Sequence, residues 1–119
     1  MKQITVLFIS VVVLTFMTGR IWAETPQHKW VGDVPIMPSL TIEKGLGFAF
    51  DNADGRIVTI YLSGEMDKKS ITTYYTQALD PLGWQRKGNS KWARGNEMLE
   101  IKETQAAGIA LWKITLRPQ

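Results

Sequence analysis

Two hydrophobic periods divide the chain from residue 47 onward. Gly47–Asp51 reads GFAFD, with Phe48 and Phe50 on one face of a short strand. DNADG follows, rich in the residues that turns favour. Arg56–Ser63, RIVTIYLS, is dense in β-branched and aromatic residues. Its alternation sets Val58, Ile60 and Leu62 on one face and Ile57, Thr59 and Tyr61 on the other. The period then changes. Ile71, Tyr74, Tyr75, Ala78, Leu79 and Leu82 recur every three or four positions, the stripe of an amphipathic helix with Asp67 as its N-cap. Pro81 disfavours helix at Asp80, and Gly83 supplies a C-terminal turn. Period two returns at Trp84–Lys87, Lys91–Arg94, Glu97–Glu103 and Ile109–Arg117, separated by Gly88-Asn89-Ser90, Gly95-Asn96 and Thr104–Gly108. The order β-β-α-β-β-β-β predicts an α+β domain, a single helix on one face of a mostly antiparallel sheet.

The head of the chain has a different character. Lys2 precedes an apolar run from Ile4 to Met17, shorter than the ~20 residues that a membrane-spanning helix needs. A positive start, a short apolar stretch and small Ala23 describe a secretory signal peptide over 1–23, cleaved after Ala23. This predicts export to the periplasm, with an uncleaved inner-membrane anchor at 4–17 as the alternative. Residues 24–46 carry Pro26, Pro35 and Pro38, each fixing φ and withholding an N–H. They read as an extended arm whose Val34, Ile36, Met37 and Leu40 can dock on the α+β domain, 47–119.

Composition now changes two conclusions. The sequence has 14 basic and 11 acidic residues, but Lys2 and Arg20 belong to the leader. Without them the net charge falls from +3 to +1, so nothing global points to nucleic acid or to an anionic surface. There is no cysteine, which excludes disulfides and a lipid-modified terminal cysteine alike. Stability must come from packed apolar groups, and four of the five tryptophans lie beyond the leader to supply them.

Catalytic constellations are scarce. The one histidine, His28, sits in the proline-rich arm, which argues against a zinc site and against serine–histidine or cysteine–histidine chemistry. Asp51-Asn52-Ala53-Asp54-Gly55 looks like the start of a calcium loop, but Leu62 stands where its glutamate is required. Glu97 and Glu100 differ by an odd number and face opposite sides of a strand, unlike a glycosidase pair. No catalytic residue, metal or cofactor is therefore expected. Aromatics and cations do interleave between Trp84 and Arg94. Arg86, Lys87, Lys91, Trp92 and Arg94 are the candidate ligand-binding residues, set against the plainer reading of a solvated hairpin with its tryptophans inward. The tyrosines and Trp84 around Pro81 are expected to close a helix–sheet corner, their hydroxyls at its rim.

DVPIMPSL (Asp33–Leu40), FDNADGRIV (Phe50–Val58) and YYTQALDPLGW (Tyr74–Trp84) together resemble segments of a group of small exported proteins of Alphaproteobacteria. The group's pattern is DxPxMPGL, then FDxPxGRIV, then FY…LPxLGW. Here Ser39 stands for a glycine, Ala53 for a proline and Tyr74 for a phenylalanine. The group is of unknown function, so the resemblance implies an exported α+β domain and carries no mechanism. Two functional expectations follow. The first is a non-catalytic domain that binds another envelope protein or its own copies through a sheet edge. The alternative is a module binding an anionic envelope polymer or lipid head groups through the basic hairpin 84–94.

Overall fold

The computed structural model describes residues 25–119, so the leader expected at 1–23 lies outside it. The strands are β1 Thr41–Ile42, β2 Phe48–Asn52, β3 Gly55–Ser63, β4 Gln85–Arg86, β5 Lys91–Arg94, β6 Glu97–Ala106 and β7 Ile109–Pro118. Among the described residues a single α-helix, α1, spans Lys68–Leu79. All seven strands form one antiparallel sheet in the order β1-β3-β7-β6-β5-β4, and β2 also pairs with β3. Strands β1 and β2 share one edge of β3, opposite Leu62–Ser63 and Gly55–Thr59 respectively. The expected α+β architecture is present. One short strand, β1, is additional, and the strand expected at Trp84–Lys87 is cut to two residues.

The register explains why this sequence makes this sheet. Val58 lies opposite Leu116, Leu116 opposite Leu99, and Leu99 opposite Trp92. One row along, Ile60, Ile114 and Ile101 are aligned. All seven side chains are buried. Each aliphatic one contributes about 1.5–3 kcal/mol by leaving water. A one-residue slip would turn the whole set outward.

Helix α1 starts where Asp67 accepts a hydrogen bond from the Ser70 amide at 2.8 Å. It buries Ile71, Tyr75 and Leu79 against the sheet, with Tyr74, Ala78 and Leu82 half-buried beside them. After a 3-10 turn at Asp80–Leu82, Gly83 adopts φ 90° and the Trp84 amide bonds back to the Leu79 carbonyl. That left-handed residue swings Trp84 under the helix end, where its ring is buried.

The proline-rich segment is more than a surface arm. Its first part is a 3-10 turn, Gln27–Lys29, and Val31, Val34 and Leu40 belong to the same buried cluster as the strands. The packed unit therefore begins well before residue 47. Tyr75 fastens this segment. Its hydroxyl donates to the Pro35 carbonyl at 2.9 Å and accepts from the Met37 amide at 3.2 Å. This corrects the expectation of a hydroxyl at a solvated rim, because Tyr75 is fully buried. Pro35 fixes the chain where it meets this clasp, and the Leu40 amide then bonds back to the Met37 carbonyl at 2.9 Å, turning the segment at Pro38.

The segment Thr104–Gly108, expected as a connection, is mostly strand. Its turn is reduced to Ala107 (φ 54°) and Gly108 (φ 77°), between the paired Ala106 and Ile109. Two positive φ values are the geometry that Asn-Gly satisfies best, and alanine holds the left-handed one at a cost. Ala107→Asn is expected to stabilise the fold by about 0.5–1 kcal/mol in urea unfolding.

Tyr75→Phe is expected to cost about 1–2 kcal/mol, since it strands the Pro35 carbonyl and the Met37 amide. Burial also raises the Tyr75 phenol well above its ordinary pKa of 10.0. The folded state thus holds this proton more tightly than the unfolded chain does. The associated stability is whole below pH 10 and is lost as pH rises beyond it. Alkaline unfolding curves of Tyr75→Phe should accordingly fall less steeply than those of the parent.

Candidate functional site

The strand register divides the expected basic cluster. Arg86 lies opposite Trp92, on the helix side of the sheet, while Lys91 lies opposite Glu100 on the other side. Trp92 is buried in the core. The Arg86 guanidinium donates to the Gly88 and Asn89 carbonyls at 3.0 and 3.3 Å, closing its own turn. Arg94 is the most engaged of the five. It makes a two-pronged bond to Asp33 at 2.9 and 3.1 Å, donates to the Leu82 carbonyl, and lies 4.4 Å from the centre of the Trp84 ring. Its hydrogen bond holds the Asp33 carboxyl below the ordinary carboxylate range. Arg94 is a rivet between the amino-terminal segment and the helix end. Only Lys87 and Lys91 point together away from the helix.

The aromatic corner leaves a crevice of about 400 Å³ between the helix end and β4, lined by Thr76, Gln77, Asp80, Trp84, Arg86 and Trp92 among others. The Thr76 hydroxyl and the Trp84 indole N–H are buried nearby without a protein partner. No nucleophile–base pair is assembled there. The resolved pKa shifts, at Asp33, Asp67, Tyr75 and Arg94, all have structural partners: an ion pair, a helix cap and a buried clasp. Among the described residues no group of three or more His, Asp or Glu side chains is placed to hold a metal.

The larger feature is the sheet face that α1 does not cover. In β2, Ala49 points inward and Phe48 and Phe50 point out, 45% and 49% exposed. Their rings stack at 5.9 Å. Leu46, in the loop just before them, is 41% exposed. Beside them on the same face run Ile57 and Tyr61 of β3, then Lys113 and Arg117 of β7, then Lys102 of β6 and Lys91 of β5. Lys87, joined to Gln85 at 3.5 Å, ends the series. An apolar, aromatic margin thus grades into a cationic field across one surface. No family model, curated protein or solved structure matches this chain.

Part of this surface was readable as alternating Lys113, Thr115 and Arg117 in the last strand. That Lys102 and Lys91 join them depends on the strand order, which the pattern alone does not set. The outward aim of Phe48 and Phe50 was hidden because exposed phenylalanines imitate core ones. The register of β2 against β3 decides it.

Arg94→Ala is expected to cost about 1–2 kcal/mol in chemical unfolding, through the lost ring contact and the bonds to Asp33 and Leu82. Asp33→Asn should cost less than about 1 kcal/mol, because this ion pair is half-solvated. Asp33 has a lowered folded-state pKa, so its contribution is present above the ordinary value of 3.8 and disappears as pH falls below it. Parent and Asp33→Asn stabilities should therefore converge in acid.

Proposed function

We propose that this chain is a non-catalytic binding domain exported to the periplasm, and that the open face of its sheet is where it meets its partner. One observation carries the reading: the stacked pair Phe48 and Phe50 is exposed on an edge strand, beside a sheet face that no helix among the described residues covers. Single exposed apolar side chains are common on protein surfaces, whereas adjacent aromatic ones next to an open face favour recognition. The edge helps. By alternation along β2, Ala49 and Asp51 turn their backbone groups away from β3, where an incoming surface can reach them. Export is supported by the leader-like residues 1–23. The hairpin 84–94 enters this reading only through Lys87 and Lys91.

The test places a photo-crosslinking amino acid in turn at Phe48, at Lys113 and at Thr73 on the exposed side of α1, in the full chain in its own cells. Adducts, whether to protein or to lipid, are expected from positions 48 and 113 and not from 73. Adducts from position 73 alone would overturn the assignment.

A further inference from the structure

We infer that the partner of the open face is a lipid bilayer surface bearing anionic head groups. This rests on the open face being the binding surface, and it adds what that surface binds. The first observation is the division of charge. Lys87, Lys91, Lys102, Lys113 and Arg117 project from this face, with Glu43 and Glu100 as its acids among the described residues and Asp54 at its end in a crevice with Ile57 and Arg117. The remainder of the described chain has seven cations and seven acids. A chain close to neutral therefore concentrates positive charge on one side.

The acids leave much of that charge uncompensated. Glu100 lies 3.7 Å from Lys91 and 4.0 Å from Lys102, and Glu43 accepts a hydrogen bond from the Ser63 hydroxyl at 2.6 Å. Lys113 and Arg117 on β7 have no acid within salt-bridge distance among the described residues. Lys113 also lies directly opposite Lys102 in the β6–β7 ladder. Two ammonium groups at facing positions repel unless something anionic lies over both.

The second observation separates a bilayer from other anionic partners. Cations alone would suit a soluble polyanion, which has no use for exposed phenylalanines. Here Leu46, Phe48 and Phe50 border the same surface, 41–49% exposed. Rings that enter the boundary between head groups and acyl chains, beside lysines that meet phosphates, are the combination an interfacial protein uses.

The experiment uses the full chain in the form recovered from its cells, with co-sedimentation on vesicles of phosphatidylcholine alone or mixed with phosphatidylglycerol. Binding is expected to the mixed vesicles, to weaken with added salt, and to be about tenfold or more weaker on neutral ones. Lys102→Glu/Lys113→Glu should lower binding by about tenfold or more. Phe48→Ser/Phe50→Ser should also lower it, although its charge is unchanged. Lys68→Glu/Lys69→Glu, an equal charge change at the start of α1, should leave binding intact, and circular dichroism verifies that each variant is folded. Equal binding to both vesicle types, or equal loss from the α1 variant, overturns the inference. Absence of vesicle binding alongside protein adducts from position 48 removes the bilayer and leaves the open face as a protein-binding surface. Absence of any adduct from positions 48 and 113 removes both.

Discussion

The whole arrangement depends on a mismatch of widths. Six strands side by side extend roughly 24 Å at ~4.8 Å spacing, and a helix with its side chains covers only ~10 Å of that. One 12-residue helix, α1, cannot roof such a sheet. The amino-terminal segment takes over where the helix stops. Val31, Val34 and Leu40 complete the apolar layer, Tyr75 holds the segment in the middle, and Arg94 holds it at the far side through Asp33. Without cysteines, these polar fastenings over a hydrophobic layer do what disulfides do in many small exported domains.

Spending both covering elements on one face leaves the other bare. In a two-layer domain the bare face ordinarily mixes charges of both signs and avoids large apolar groups. Here it does neither consistently. The facing pair Lys102 and Lys113 costs roughly 0.2–1 kcal/mol, and Ala107 holds a left-handed turn at the tip of the same hairpin. Both departures lie on the long β6–β7 hairpin, one in its ladder and one in its turn.

Much of the architecture was legible from periodicity, and the parts that were not have physical reasons. Val58, Ile60, Leu62, Ile114 and Leu116 announced their burial by strict alternation, and Asp67, Pro81 and Gly83 marked the ends of α1. How deeply the arm packs left little trace, because proline spacing describes backbone shape and says nothing about what lies beneath. Val31 had no periodic neighbour to signal its burial. The division of the basic hairpin between two faces was hidden for the opposite reason. Closeness along the chain suggested one cluster, but successive strand residues point to opposite faces. Arg86 and Arg94 thereby became structural fasteners while Lys87 and Lys91 joined distant cations. Strand order, which brings β7 between β3 and β6, is a property of long-range pairing and leaves little trace in a local window.

Gln27 donates to the Lys44 carbonyl beside Gly47, a position where any side chain larger than hydrogen would collide with Gln27 and the Thr59 carbonyl. The described chain therefore enters the fold at the end of the sheet edge that carries Phe48. Whatever precedes Thr25, retained leader or free amino terminus, departs from that corner. Any side chain at Gly47 would therefore disturb the entry of the amino-terminal segment and the Phe48 edge together.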